Sequence, residues 1–390
     1  MKMRKILAMI LVLAMALSLT VTLTACGDEP VEPTGAVSDV PTGDPDPVDD
    51  PKELKPVKIG IINFLYGTRG MNAAEAYMEY LEANFPVEFE LVTCASTDAE
   101  SNIASTENLL TSGADVILSY VCDGAVQCTK LCEEAGAYFG LMMCKEYEED
   151  VAELTASDYY LGSIHPEHDA YAFAQELAAL FMNEGFKNFV TVGFNIGLVR
   201  ENDKLCYGFQ DYVTENGGTI VTTINESVMS LSEATTTMVA NYGDQIDYIF
   251  APAAGANFVL PRITGTDIKI CVNDVPNNTA ELFSTGNLHF IYELPYECIG
   301  IMTVLAINAV NGIELAGTPD MISIESKYAL LHNADDVASY LELTQLGEDG
   351  IPLYTAEELA QFISSSASWD DLMAMCASNR LEDIAARQAG

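Results

Sequence analysis

"VKIGIINF" (57–64), "MNAAEAYMEYLEANF" (71–85) and "VEFELVTC" (87–94) decide the fold, because a solid apolar run passes through a helical pattern into another short run. A run with little polar alternation is what a strand covered on both faces requires. Met71, Ala74, Met78, Leu81 and Phe85 fall on one helical stripe. The stretch between the two runs is long enough for a crossover, so the strands can pair in parallel.

The alternation continues outward. "DVILSYV" (115–121), a helix from Asp123 to Ala135, "YFGLMM" (138–143) and "YYLGSIH" (159–165) complete a first series. Thr97 and Glu100 give a capping-box signature ahead of the helix that carries Ile103, Leu109 and Leu110. After a long amphipathic helix at 169–185 a second series begins: "NFVTVGFNIG" (188–197), "TIVTTIN" (219–225), "DYIFAPA" (247–253), "IKICVND" (268–274) and "LHFIYELP" (288–295). Helices are expected between them at 202–216, 230–242, 256–262 and 278–285. Strands alternating with helices at this spacing mean parallel sheets with right-handed crossovers, hence an α/β chain with two doubly wound lobes.

Composition narrows the partners. With 58 acidic against 17 basic residues and a formal charge of −41, the chain would be repelled by nucleic acid. The same field favours cations, or simply solubility outside a cell. Hydrophobic residues make up 49% of the chain, ample for a large core. No second apolar stretch reaches the roughly 18 residues that a membrane span needs.

The first such stretch lies at the N-terminus, where Lys2, Arg4 and Lys5 precede an uncharged run from Ile6 to Ala25, the pattern of a secretion signal. "LTAC" (23–26) resembles the lipobox of bacterial lipoproteins. That resemblance implies cleavage after residue 25 and a diacylglyceryl group on Cys26, whose acyl chains anchor the protein to the bilayer. An uncleaved signal anchor is the alternative, and both leave the body outside the cytoplasm. Residues 27–56 are rich in Pro, Asp, Glu and Gly and poor in large apolar side chains. They form an extended, self-repelling linker.

From 57 to about 330 the body resembles the type I periplasmic solute-binding proteins, especially their ribose-binding-like, sugar-binding branch. "FIYELPYECIG" (290–300) pairs a strand ending in a polar residue with Leu-Pro and a helix opening on Gly300. "IKICVNDVP" (268–276) ends a strand in an acid where that family places a sugar-binding aspartate, and "GFQDYVTENGG" (208–218) matches its Gly-Phe helix. The resemblance implies a multi-strand hinge with crossings near 165–168, 293–296 and 320–324. The first lobe would comprise 57–166 plus 294–322, and the second 167–293 plus 323–390. A helical appendage wrapping one lobe is expected beyond 330, with Thr355 and Glu358 starting one helix and Ser368 another. The resemblance further implies a monomeric, non-enzymatic receptor without a cofactor. Its partners would be a small polar solute and the membrane permease of an ABC importer. A sensor feeding a signalling partner fits the same residues, and an extracytoplasmic α/β enzyme is the alternative from another class.

Ligands of open α/β sheets sit beyond the carboxyl ends of the strands. Reading those ends gives Asn63, Tyr66 and Arg69, then Asp123, then Lys145 beside Cys144 in the first lobe; the second offers Asn195, Arg200, Asn273, Asp274 and, beside the hinge, Glu293. Asp123 suits a helix N-cap equally well. Tyr66 could stack on a ring or cover the core edge, and Arg69 and Arg200 could be solvated. Glu293 can only accept hydrogen bonds when ionised, which suits hydroxyls or an amine.

Departures from the family pattern bear on the ligand. The arginine expected before the Gly-Phe pair is replaced by Leu205 in "KLCYGF", and "APAAGAN" (251–257) lacks the asparagine expected after the third strand of the second lobe. A less hydroxylated solute is one consequence. Cys94, Cys122 and Cys144 end successive strands and could approach one another as a soft-metal or redox site. Cys128 and Cys132, by contrast, lie on a buried helical stripe. His165 and His168 could bind zinc or simply occupy a hinge loop. No G-x-S-x-G, H-E-x-x-H or P-loop motif is present.

Overall fold

The computed structural model describes residues 54–63, 69–94, 96–166, 169–193, 200–252, 255–276, 278–293, 296–344, 352–378 and 380–389. The signal, Cys26, the linker up to residue 53, Tyr66, His168 and Asn195 lie outside the described residues, as does the side chain of Arg200.

Among the described residues twelve strands form two six-stranded sheets. The first holds β1 (Val57–Asn63), β2 (Val87–Thr93), β3 (Val116–Ser119), β4 (Tyr138–Met142), β5 (Tyr160–Pro166) and β11 (Ser323–Ser326), in the order β11-β5-β4-β3-β1-β2 with every pair parallel. The second holds β6 (Asn188–Gly193), β7 (Thr219–Asn225), β8 (Tyr248–Ala251), β9 (Lys269–Asn273), β10 (Leu288–Glu293) and β12 (Ala329–Leu331), in the order β12-β10-β9-β8-β6-β7. The first five strands of each lobe are thus wound alike. Central strands β3 and β8 are buried along their whole length, whereas the edge strands β2 and β7 are partly exposed, which is why the former read as unbroken apolar runs. Asp115 and Asp247 play one role in the two lobes: each accepts a backbone N–H near the start of the lobe's first strand, from Lys58 at 2.8 Å and from Asn188 at 2.9 Å.

Each sheet is covered on both faces. One face of the first sheet packs against the helices Arg69–Asn84 and Ile299–Asn311, the other against Ala99–Thr111 and Ala125–Ala135. In the second lobe Phe173, Phe181, Phe209, Phe250 and Tyr292 fill one face. The Gly-Phe pair has a local reason. A Cβ on Gly208 would stand 2.2 Å from the Tyr171 carbonyl oxygen, so glycine lets the helix Arg200–Glu215 close onto Ala170–Asn183, while Phe209 stacks on Phe250 at 4.4 Å.

Several expectations change. Thr97 does not cap its helix: Asp98 does, its carboxylate accepting the Ser101 N–H, because a charged acceptor one residue later reaches the third amide of the turn. Asp123 is not an N-cap either, since Gly124, at φ +80°, holds that place. The third crossing falls at 327–328 rather than 320–324, because β11 pairs with β5 inside the first sheet, so the boundary after 322 moves a few residues on. β12 enters the second sheet at the edge where β10 leaves it and therefore runs antiparallel to β10. At that crossing Tyr328 stacks on Phe173 at 4.5 Å and meets Tyr292 edge-on at 5.2 Å.

The C-terminal helices do not wrap one lobe. Val337 and Tyr340 of the helix Ala334–Thr344 sit in the second lobe's core, while Leu353, Tyr354, Leu359, Phe362, Trp369 and Leu372 belong to the first lobe's. The last helix, Leu381–Ala389, joins them, with Ile384 buried in the first core and Leu381 against the second. The reason is apolar area: these side chains cover the outer sides of the helices Arg69–Asn84 and Ile299–Asn311, where the Tyr77 hydroxyl donates to the Tyr354 carbonyl at 2.7 Å and Leu359 lies against Gly300. The caps read from sequence are present, Thr355 with Glu358 as a reciprocal capping box and Ser368 accepting from Asp371.

Candidate functional site

The carboxyl ends of the strands bring four of the expected residues together. Arg69, first residue of a first-lobe helix, reaches into the second lobe: its Nε donates to the Val275 carbonyl at 2.8 Å and its Nη2 pairs with Glu293. Glu293, the last residue of β10, is 1% exposed and accepts the Val275 N–H on its other oxygen at 2.8 Å. Asp274 follows β9 in the left-handed region at φ +65°, its carboxylate beside Tyr296 and, with the Asn273 amide oriented to donate, 3.0 Å from that amide nitrogen. Tyr296 lies just past the second crossing. Its ring fits because residue 70 is glycine, whose added Cβ would overlap it at 2.0 Å. Tyr120, just beyond β3, stands 6.5 Å from that ring.

Met143, beyond β4, is the other described non-glycine residue with positive φ, at +58°, and it packs against cores of both lobes. Each lobe thus carries one left-handed residue at a strand end facing its partner. Such backbone costs energy and concentrates where function over-determines it.

The remaining expected residues are placed differently. Asn63 ends β1, is 2% exposed, and among the described residues its side-chain oxygen has no hydrogen-bond partner, so an incoming donor would satisfy it. Asp123 accepts from the Tyr147 hydroxyl at 2.7 Å, a tie within the first lobe. Lys145 is exposed. Tyr66, Asn195 and the Arg200 side chain fall outside the described residues. Sequence reasoning missed Tyr296 as a site residue, although its position directly after a crossing was available as a signal. It also missed the Val275 backbone, which no side-chain pattern reveals.

Burial pushes the Glu293 carboxyl above its ordinary range, with Arg69 opposing. Asp274 is pushed up to about 7, by burial first and then by the charge of Glu293, while Arg69 and Tyr296 oppose. A carboxyl raised in the folded state still holds a proton that the unfolded chain has released, so its contribution to stability falls as pH rises from about 4 through 7. We expect urea unfolding of the protein to show that fall, and Asp274→Asn to flatten it. An identical profile in the variant would mean that Asp274 titrates as an ordinary carboxyl. Buried His165 and half-buried His289, both held below the usual histidine value, act in the opposite sense below about 6.5 and cancel in the comparison.

Among the described residues no three potential metal ligands come together, at the cysteines or elsewhere. Cys94 donates its thiol to the Asn63 carbonyl at 3.0 Å, and burial pushes Cys128 to about 11 and Cys132 to about 12, which keeps them protonated and unreactive. His165 is tied to Ser323 and the Pro166 carbonyl, both at 2.8 Å. Two surface hollows, one in the C-terminal helices around Phe362 and Met375 and one beside β7 around Asn225 and Tyr242, lie away from the Arg69–Glu293 junction.

This architecture has counterparts among solved structures. The substrate-binding protein of a sugar ABC transport system from Bordetella parapertussis 12822 matches with a TM-score of 0.59 at 13% identity, covering 72% of this chain and 91% of that one. A solute-binding protein of an ABC transporter from Bacillus halodurans C-125, with bound myo-inositol, matches at 0.57 and 17%, covering 74% and 97%. The binding protein of the arabinose ABC transporter from Shewanella sp. ANA-3, bound to arabinofuranose, matches at 0.60 and 14%, covering 73% and 94%. The fold is that of the type I periplasmic binding proteins. No protein-family model and no curated protein matches the sequence. At these identities the likeness is one of fold, and the chemistry has to be argued from the junction itself.

Proposed function

We propose that the chain is an extracytoplasmic receptor, anchored through lipidated Cys26, that captures a small hydroxylated solute between its lobes and delivers it to an ABC-type importer. The observation that carries this reading is the cluster at the lobe junction. Arg69 of one lobe meets Val275 and Glu293 of the other, beside Asp274, at the strand ends where open α/β sheets receive ligands. Hydroxyls suit this chemistry because Asp274 and Glu293 accept and Asn63 both accepts and donates. Solved proteins of the same fold are described with bound myo-inositol, arabinofuranose or D-allose, which supports the same ligand class. Closure follows from the contacts a solute gains only when both lobes touch it. The signal-like N-terminus and the acidic linker support an anchored receptor held off the membrane.

The test is a thermal-shift screen of sugars, cyclitols, nucleosides, amines and amino acids against the protein. A solute at 100 times its dissociation constant is expected to add about 2.7 kcal/mol to stability, without being converted. Turnover of the bound compound, or a panel with no binder, would overturn the reading.

A further inference from the structure

We propose that Arg69 is a built-in counter-ion for Glu293 across the lobe junction, so that the site takes neutral or cationic polyhydroxylated solutes and rejects their anionic counterparts, such as uronates and sugar phosphates. This rests on reading the junction as the solute site, and it adds the charge class of the solute.

The argument begins with what Arg69 touches. It opens a first-lobe helix, yet the Val275 carbonyl and the Glu293 carboxylate that accept from it belong to the second lobe. Arginine fits such a role because its rigid fork of donors can engage a carbonyl and a carboxylate together. The Glu293 side chain is 2% exposed and its other oxygen is held by the Val275 N–H, so the pair is fixed from two sides. An anionic solute could recruit Arg69 only by drawing it off Glu293, leaving a buried carboxylate without its partner.

Charge balance points the same way. Arg69 faces two acids, Glu293 and Asp274, whose titration is coupled to it. With Asp274 protonated the three groups sum to zero; with Asp274 ionised they sum to one negative charge. In neither state do they offer an uncompensated positive charge, and a second anion would be repelled where water screens poorly. Two further described cations follow first-lobe strands: Lys145, beyond β4, is exposed, where screening weakens its pull, and half-buried Lys327, beyond β11, is not among the charges that act on Asp274 or Glu293. The whole chain, at −41, repels anions at longer range as well. An amine on the solute would gain from Asp274. Arg69 is on this account a positioning residue that sets selectivity through Glu293.

The experiment is isothermal calorimetry on the full chain in detergent, with galactose, galactosamine, galacturonate and myo-inositol as probes. Binding of at least one neutral or amino compound is expected, with galacturonate at least tenfold weaker than galactose or galactosamine. Glu293→Gln keeps the shape, removes the charge and releases Arg69, and should move the galacturonate-to-galactose ratio at least tenfold toward the uronate. Galacturonate binding as tightly as galactose in the unaltered protein would overturn the proposal, as would a ratio that Glu293→Gln does not move. If that variant fails to fold, the unaltered protein's ratio decides alone. Absence of binding by every probe would instead strike the reading of the junction as a sugar-type site, an outcome distinct from binding with the wrong charge preference.

Discussion

Arg69→Ala is expected to destabilise the protein by about 3–5 kcal/mol, the usual consequence of removing one partner from a buried ion pair. The size follows from the geometry. The Arg69 side chain is 19% exposed and that of Glu293 2%, so the orphaned carboxylate would have little access to water while the lobes stay in contact. Two relaxations are open to it: protonation, or opening of the lobes to hydrate the acid. The first makes the loss smaller at low pH, and the second enlarges the radius of gyration measured by X-ray scattering. The double variant Arg69→Ala, Glu293→Gln should recover most of the lost stability in urea unfolding, because the charge that needed the partner is gone. A loss below about 0.5 kcal/mol for the single variant would show that the pair holds nothing together.

Removing residues 352–390 is expected to abolish folding of the first lobe rather than trim an ornament from it. Leu353, Tyr354, Leu359, Leu372, Cys376 and Ile384 are each fully buried in the core that also contains Ile59, Tyr77 and Met302. Leu372→Ala alone should cost about 2–5 kcal/mol, the range for a large-to-small change at a fully enclosed site. Polar ties add to the loss. Arg387 bonds the carbonyls of Ser378 and Leu353 and pairs with Glu358 at 3.0 Å, and Arg380 bonds the Tyr328 carbonyl at the third crossing at 2.6 Å. Circular dichroism and thermal unfolding of the truncated chain check this directly. A cooperative transition at an unchanged midpoint would mean that the tail is dispensable.

How much of this was legible beforehand depends on the distance over which each feature is encoded. The ten main strands stand where short apolar runs predicted them, several trimmed at the ends, as with "DVILSYV" (115–121), of which Val116–Ser119 is strand. Apolar periodicity is local, so it survives without tertiary information. The caps at Thr355 and Ser368 were equally readable. Thr97 failed because two neighbouring residues could each cap, and only the path of the chain chose Asp98. The candidate acids Asp274 and Glu293 came from strand ends, but Asp123, chosen by the same rule, turned inward to Tyr147.

The sequence alone determined the α/β alternation, the two wound series and the strand-end positions, because burial on both faces of a parallel strand leaves an unbroken apolar run. Tertiary structure alone decided that Arg69 meets Glu293, 224 positions away, that β11 and β12 part company between the sheets, and that the tail completes the first lobe's core. Each of these is a pairing between distant segments. Its free energy depends on which surfaces close against each other, and no window of neighbouring residues carries that information.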